Sequence, residues 1–551
     1  MSLGPRDRRF GHDGVTRIGF HQLDMDRVLT AFLARLWHGG YPSRLARSDS
    51  SELTVDDFVA SFLERPEFFT DFDPDVAYRW VETHLMDVVN RGKPTQAVAG
   101  PRPLHGFTYR FRNSYRSRPY GADEQLYEML VHARGDKGTA ALEHLKDFFF
   151  AGIDRAVQDL SGGPDTDVET QALLRLADRY KQDAADTRKP RSLQPPLCIG
   201  QADLLADDVL RLLYHRKFIP RAVMVEYLKI LFSFHLGLYH LRLLKLLPAL
   251  VASGTAEPTC ALHRCPVGGS GDWAACPFRT GLFVDVVGVP GTTVASLAER
   301  SADVWYRRIP GFIKAAYTIT KLSELAALLA KQGKLAKPPR GYYSVADLLG
   351  LAGAARRADR EAFFSARMTG IVDSTGGSEL PPEIRGIVEL GLDDLTAYIE
   401  ILTAYRGDYH RKYIVDCLDS LLLKHRPGAL LAQPGGQRST RRFVLDSRLL
   451  EVLLQVCLLA PGESHAFRTV PLRIDEFLAL LRDRYGLFID RLPAADGFPV
   501  AGITDQAALR ANAAAFTDRL REIGFYQDLS DAYVTQTITP RYAVPPQERT
   551  P

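Results

Sequence analysis

Apolar residues recur at intervals of three and four along most of this chain, which is the spacing of amphipathic helices. Residues 25–36 (MDRVLTAFLARL) show it, and Thr54 ahead of residues 55–63 fits a helix N-cap. Residues 220–251 are apolar on nearly every face and predict a helix buried on all sides. We therefore expect a mainly α-helical, multidomain protein.

Polar segments containing proline interrupt this pattern near residues 187–196, 331–341 and 427–436, and they are candidate linkers. The chain has 551 residues, enough for roughly three domains of about 150 residues. The predicted parts are a helical N-terminal domain (1–190) with a basic aromatic segment (101–120), a helical middle domain (197–335) with a Cys-rich loop (260–277), a helical connecting region (342–426), and a winged-helix-like α+β domain (437–545).

The C-terminal part has the element order of a winged helix. Predicted helices at 447–459, 473–485 and 506–523 precede a segment rich in strand formers, 533–538, with a turn at 528–531. In such modules a helix enters the major groove of DNA. Arginines and acidic residues are mixed in this part, so double-stranded DNA and a partner protein are both open as ligands.

Three of the six cysteines fall in a Gly/Pro-rich stretch, Cys260, Cys265 and Cys276, with His263 between the first two. Zinc takes four tetrahedral Cys or His ligands, so His263 or the distant Cys198 would complete a structural site. Four cysteines including Cys198 would also hold an iron–sulfur cluster. The alternative without metal is that these are small buried apolar side chains.

The basic aromatic segment is a candidate nucleic-acid surface, because arginine pairs with phosphate and aromatic rings stack on bases. It contains no acidic residue. Its alternation at 109–112 also fits an edge strand with one buried face, and a protein interface is a third interpretation. The residues concerned are Arg102, Arg110, Arg112, Arg116, Arg118, Tyr109 and Tyr115.

Charge and motifs narrow the function classes further. The net charge is +3, so any nucleic-acid surface is a local patch. We find no phosphate-binding loop and no nucleophile elbow, so nothing in the sequence indicates a self-contained enzyme. The N-terminus lacks the apolar run of a signal peptide and charges interrupt 220–251, so we expect a cytoplasmic protein without membrane contact.

Two further groups of polar residues have simple structural explanations. His235 and His240 on the apolar helix are expected to make hydrogen bonds within the core or between helices. The segment 404–413 (AYRGDYHRKY) is rich enough in polar residues to form a site, although an exposed helix face explains it more simply.

Residues 234–251 (FHLGLYHLRLLKLLPALV), together with the cysteine loop, and residues 520–542 (LREIGFYQDLSDAYVTQTITPRY) carry a family resemblance. They resemble accessory proteins of bacterial anti-phage defence islands linked to DNA modification, either methylation-associated or phosphorothioation-linked. The resemblance implies a non-catalytic subunit beside an ATPase, methyltransferase or nuclease. A DNA-cleaving or DNA-modifying enzyme with an unrecognised site and a transcriptional regulator are the alternatives.

Overall fold

The computed structural model is mainly α-helical, as the apolar spacing predicts, and its few strands are short. The structure describes residues 3–43, 54–64, 73–112, 116–154, 159–160, 167–177, 184–187, 193–254, 276–338, 340–373, 381–435, 440–461, 467–498, 501–526 and 537–544.

Local capping fixes the helix starts of the N-terminal part. The Thr54 hydroxyl accepts a hydrogen bond from the backbone N–H of Asp57, and the Asp57 carboxylate accepts one from the backbone N–H of Thr54, which confirms the predicted cap. The sequence after Pro74 predicts one helix over residues 75–90, and this prediction was wrong, because a π-helical turn at Val81–Leu85 leads into a strand. The helices are α1 Met25–Trp37, α2 Val55–Leu63, α3 Pro74–Trp80, α4 Ala122–Val131, α5 Lys137–Phe149 and α6 Val168–Ala177; the strands are β1 Met86–Val89, β2 Ala97–Pro101, β3 Ile153–Asp154 and β4 Asp159–Leu160, paired β1–β2 and β3–β4.

One long apolar helix lies at the centre of the protein. It packs against helices before and after it in the chain, which buries it along its whole length. In length and apolarity it is the one described helix that meets the criteria for a membrane span, and 94% of that window is buried inside the protein. The middle elements are α7 Ile199–Tyr214, the central helix α8 Arg221–Ser253, β5 Leu282–Phe283, α9 Thr293–Tyr306 and α10 Ile309–Lys331.

The remaining elements return to this centre. A short C-terminal strand, Leu487 and Phe488, pairs in parallel with Leu282 and Phe283 of β5 in the middle region. The connecting helices are α11 Val345–Gly350, α12 Arg357–Asp373, α13 Pro382–Glu389 and α14 Asp394–Leu421. The C-terminal elements are β6 Leu431–Ala432, β7 Arg442–Phe443, α15 Ser447–Cys457, β8 Leu459–Pro461, β9 Phe467–Thr469, α16 Ile474–Leu480, β10 Leu487–Phe488 and α17 Ile503–Glu522.

A single cluster of buried apolar side chains extends from Leu3 to Ile538, and a smaller one surrounds Phe283 and Phe488. The predicted parts therefore share a core, and their boundaries stay a prediction. Most of the predicted Cys-rich loop and the predicted turn at 528–531 lie outside the described residues. The zinc loop and the winged helix accordingly also stay predictions.

Candidate functional site

A largely buried polar network joins α7, α8 and the π-helical turn Leu481–Tyr485 that follows α16. Its centre is Asp208 on α7, whose side chain has 0% exposure. Asp208 Oδ2 accepts hydrogen bonds from His235 Nε2 at 3.0 Å and from the Tyr485 hydroxyl at 2.8 Å. Asp208 Oδ1 accepts from Arg484 Nε at 3.1 Å. The network links two helices of the middle region to the C-terminal part.

Burial and neighbouring charge set the ionisation of this network. Burial alone would raise the pKa of Asp208, but the Arg484 guanidinium and His235 outweigh it and hold that pKa below its ordinary value. Burial lowers the pKa of His235 in spite of the hydrogen bond to Asp208. The network therefore contains an ionised aspartate, a charged arginine and a neutral imidazole.

The histidine uses both ring nitrogens inside the protein. Gln201 Nε2 lies 2.8 Å from His235 Nδ1 and donates to it, so the ring proton is on Nε2 and points to Asp208. In a catalytic Asp–His pair the carboxylate orients one nitrogen and the other faces the substrate. Here Gln201 takes the second nitrogen. The arrangement confirms the interhelix hydrogen bonding expected for His235, and its chemistry is that of a buried connection between helices.

His240, the second histidine of α8, is also used internally. Its Nδ1 lies 2.7 Å from the Leu236 carbonyl and its Nε2 lies 2.9 Å from Thr16 Oγ1. Since a carbonyl only accepts, Nδ1 carries the proton and Nε2 accepts from the Thr16 hydroxyl. This bond attaches the chain ahead of α1 to the central helix α8. It confirms the core or interhelix hydrogen bonding expected for His240.

Two of the predicted metal ligands lie beside each other in the core. Cys198 is the N-cap residue of α7, Cys276 precedes β5, and both are buried. Burial raises the pKa of the Cys198 thiol, with the Arg242 charge lowering it and the neighbouring Cys276 thiol raising it. Cys260, His263 and Cys265 lie outside the described residues. Within the described part of the chain, no group of three metal-binding side chains comes together.

Arg242 of α8 is the notable neighbour of this thiol pair. Its side chain is 2% exposed, and its Nη1 lies 4.0 Å from Cys198 Sγ. Its Nε is buried without a hydrogen-bond partner among the described residues. A buried guanidinium normally has an anionic partner, because removing a charge from water is costly. Two neutral thiols do not supply that charge, whereas thiolates would.

The basic aromatic segment divides into a buried and a surface part. Residues Gly106–Phe111 form a 3₁₀ helix, so the edge-strand interpretation of 109–112 was wrong, although Tyr109 and Phe111 are buried as it required. Tyr109 is fully buried and lies beside His38. Arg110 stacks over the Phe107 ring at 3.7 Å. The ring of Tyr109 therefore belongs to the core of the N-terminal part.

The other members of the segment lie nearer to the surface. Arg102 and Arg116 are half-buried and Arg118 is exposed. Arg112 is half-buried, and burial lowers the pKa of its guanidinium. Tyr115 lies outside the described residues. The accessible end of the segment is thus Arg116, Arg118 and the following Tyr120.

Comparison with known families decides between the methylation-associated and the phosphorothioation-linked resemblance. A family model described as methylation-associated defense system protein MAD7 matches residues 5–542, nearly the whole chain. The chain belongs to the MAD7 family. A comparison with curated proteins gave no match. The MAD7 match confirms the methylation-associated resemblance, and it makes this MAD7 chain a component of an antiviral defence system whose partners are other components of that system.

Proposed function

We propose that this MAD7-family protein is a non-catalytic subunit of its defence complex that binds DNA, partner subunits, or both. The observation that carries the proposal is the commitment of the Asp208–His235 pair to internal bonds, with Gln201 on the remaining ring nitrogen. Of the described carboxylate–histidine contacts, this pair has the closest likeness to an acid–base pair. Its role as a connection between helices favours a binding protein over a DNA-cleaving enzyme.

Other ion pairs with a buried carboxylate also join distant parts of the chain, which suits a rigid platform. Arg17 Nη2 lies 2.7 Å from Glu128 Oε1, and Arg441 Nε lies 2.8 Å from Asp419 Oδ1. Tyr306 donates to the same Asp419 at 2.8 Å. Breaking a buried pair costs about 3–5 kcal/mol, so such pairs hold one relative arrangement of the helices. A subunit that positions DNA or catalytic partners benefits from that rigidity.

The C-terminal part is the surface we assign to binding, with α17 as the recognition helix of a winged helix. An antiparallel bridge between Leu472 and Ile538 pairs the chain before α16 with the chain after α17, which supports that topology. One side of α17 is exposed and carries small residues and a cation: Ala507, Arg510, Ala511 and Ala514. Small side chains allow a helix to approach a groove or a partner helix closely.

The experiment compares Arg510→Glu on α17 with Arg307→Glu, a surface arginine at the end of α9 that is 76% exposed. Binding to a methylated and an unmethylated duplex is measured across salt concentrations, alongside copurification with the other components of the system. We expect Arg510→Glu to weaken duplex binding and to reduce the salt slope by about one, because one phosphate contact is lost. Arg307→Glu should behave as the wild type.

A loss of copurification with unchanged DNA binding would assign α17 to a partner subunit. No change in either measurement would contradict the assignment of α17. Substitution is the sharper test than removing the C-terminal part, since truncation would strip Arg484 and Tyr485 from the buried Asp208. Magnesium-dependent DNA cleavage by the purified protein, lost on carboxylate substitution, would overturn the non-catalytic role.

We also propose a structural zinc bound by Cys198 and Cys276 with Cys260 and Cys265. The buried Arg242 supports it, because zinc-bound thiolates would give that guanidinium the anionic partner it requires. In this proposal Cys198 is the fourth ligand, in preference to His263. Zinc would hold the start of α7 to the chain ahead of β5 and would supply part of the folding energy of that region.

Elemental analysis of the purified protein tests the metal. We expect zinc in the wild type, loss of zinc in Cys198→Ser and in Cys276→Ser, and retention in Cys417→Ser, a buried cysteine on α14 that serves as control. Iron with inorganic sulfide would instead establish an iron–sulfur cluster. Wild-type protein purified without chelators that contains neither metal would refute the site, and zinc retained in Cys198→Ser but lost in His263→Ala would assign the fourth position to histidine.

A further inference from the structure

Four aromatic rings from three distant stretches form a continuous row on the surface, the aromatic row: Tyr120, His21, Tyr413 and Tyr409. The Tyr120 and His21 ring centroids lie 4.3 Å apart at 29°, which is a stacked pair. His21 and Tyr413 are 5.7 Å apart, and Tyr413 and Tyr409 are 4.7 Å apart. Aromatic side chains at such spacings are usually found in cores, whereas here Tyr409 is 46% and Tyr120 is 36% exposed.

The backbone holds one end of the row in an unfavourable conformation. Tyr120 has φ +48°, in the left-handed region that bulky residues rarely adopt. Its carbonyl accepts a hydrogen bond from the Gly19 N–H at 2.9 Å, and a Cβ on Gly121 would lie 2.1 Å from the Arg17 carbonyl oxygen. This conformation costs on the order of 1–3 kcal/mol, which the surrounding packing offsets. The fold thereby maintains an exposed tyrosine against a local preference.

Positive charge lies along the row. The Arg406 guanidinium carbon is 3.9 Å from the Tyr409 ring centroid. Lys412, next to Tyr413 on α14, is exposed, and Arg118 is exposed two residues before Tyr120. The exposed acidic residues on this stretch of α14 are Asp408 and Asp416, the second of which lies one turn after Tyr413, so the three cations outnumber them by one. The row thus combines ring surfaces with cations that suit phosphates.

We propose that the aromatic row binds single-stranded nucleic acid, with unpaired bases stacking on Tyr120 and Tyr409. Arg118 and Lys412 contact the phosphates between those bases. Aromatic side chains along a positively charged surface are the usual means of binding single strands without sequence preference. A duplex hides the faces of its bases, so the row discriminates against it. The aromatic row and α17 share no residue, so binding by the row can be tested independently of α17.

The test uses the full-length protein and a fluorescently labelled oligothymidine of about 20 nucleotides, a length that covers an aromatic site of this kind. The variants are Tyr409→Ala and Tyr120→Asn, since asparagine tolerates the left-handed backbone. Phe218→Ala is the matched control, because Phe218 is 41% exposed outside the row. Anisotropy gives Kd, and circular dichroism checks that each variant is folded.

Stacking contributes about 1–3 kcal/mol per base, so each row variant should weaken binding by about 5- to 150-fold. Phe218→Ala and Arg510→Glu should leave binding to the single strand unchanged, and a duplex of equal length should compete poorly. Wild-type protein that does not bind the oligonucleotide at low salt, or row variants that bind it as the wild type does, would overturn the proposal. Loss of a partner subunit with unchanged oligonucleotide binding would identify the row as a protein interface and refute it equally.

Discussion

The buried pair of Arg484 and Asp208 should be strongly coupled in stability. Asp208 is fully buried and ionised, and Arg484 is its cationic partner, with the neighbouring Asp207 as a second acceptor. Arg484→Leu leaves Asp208 with His235 and Tyr485 as donors but without a counter-charge. Leaving one ion of a buried pair uncompensated costs about 3–5 kcal/mol.

Asp208→Asn should destabilise the protein by about 3 kcal/mol, the lower end of that range, because Arg484 still has Asp207 as an anionic partner. The remaining cost arises because the new amide N–H faces the hydrogen-bond donors that the carboxylate accepted from. The double variant lacks both the Arg484 and the Asp208 charge, so neither of them is left buried without its partner. The double variant should therefore be less destabilised than the sum of the single variants by about 2–3 kcal/mol.

The measurement is urea unfolding followed by tryptophan fluorescence and circular dichroism, with unchanged slopes as the condition for comparing midpoints. The matched control cycle is Arg307 with Asp303, a surface pair with side chains 76% and 50% exposed. Its coupling should be about 0.3–0.5 kcal/mol, as for other exposed helix pairs. A buried cycle with a coupling no larger than the surface cycle would refute the reasoning that burial makes this pair strong.

Three further expectations follow from single contacts. Burial lowers the pKa of His240 to about 4 from an unfolded value of 6.5. The unfolded chain therefore takes up the proton first as the pH falls through this window, and stability present above 6.5 declines by up to about 3 kcal/mol at 4; urea midpoints measured across that window should fall more steeply in wild type than in His240→Asn, and parallel curves would contradict this. Asn512→Ala should cost about 3 kcal/mol and speed amide exchange at Val286, because the Asn512 side chain bonds the backbone of Val284, Val286 and Ile489 at 2.8–3.0 Å; a stability within 1 kcal/mol of wild type would show that water replaces those bonds. Gly486→Ala should prevent stable folding, since φ is +74° and the new Cβ would lie 1.7 Å from the Thr280 carbonyl oxygen, whereas Gly311→Ala, with open space around it, should stabilise by about 0.5–1 kcal/mol when thermal midpoints are compared.

The spacing of apolar residues was sufficient to predict most helices. It was insufficient to predict which elements pair or pack together. The ends of α1 lie within a residue of the predicted 25–36, because apolar spacing and caps act over a few residues. The segment 75–90 was misassigned because β1 exists only through pairing with β2, which apolar spacing within the segment does not reveal. At 109–112, alternation correctly indicated that Tyr109 and Phe111 are buried, while the backbone at Gly106–Phe111 formed a 3₁₀ helix.

In the candidate sites, too, the residue types could be predicted from the sequence but their contact partners could not. His235 was predicted to bond within the core, but Arg484, which pairs with the Asp208 that His235 bonds, stands 276 residues after Asp208, a separation that no pattern in the sequence indicates. The surface position of Tyr120 beside Tyr413 could not be read from either segment alone, since the fold brings them together through His21. Cys198 and Cys276 are neighbours for the same reason, and only their residue type pointed to a common site.

The burial of α8 has a consequence for the synthesis of the protein. Ser233 and Tyr227 of this helix donate to the Leu421 carbonyl and to Glu451, so much of what covers α8 is translated after it. Ribosomes add about 5–20 residues per second, so the segment with Arg484 follows α8 by on the order of 10–50 s. During that interval the nascent chain exposes an apolar helix long enough for a bilayer. We therefore expect productive folding to depend on a chaperone that shields apolar nascent segments, and on the C-terminal part being made in the same chain.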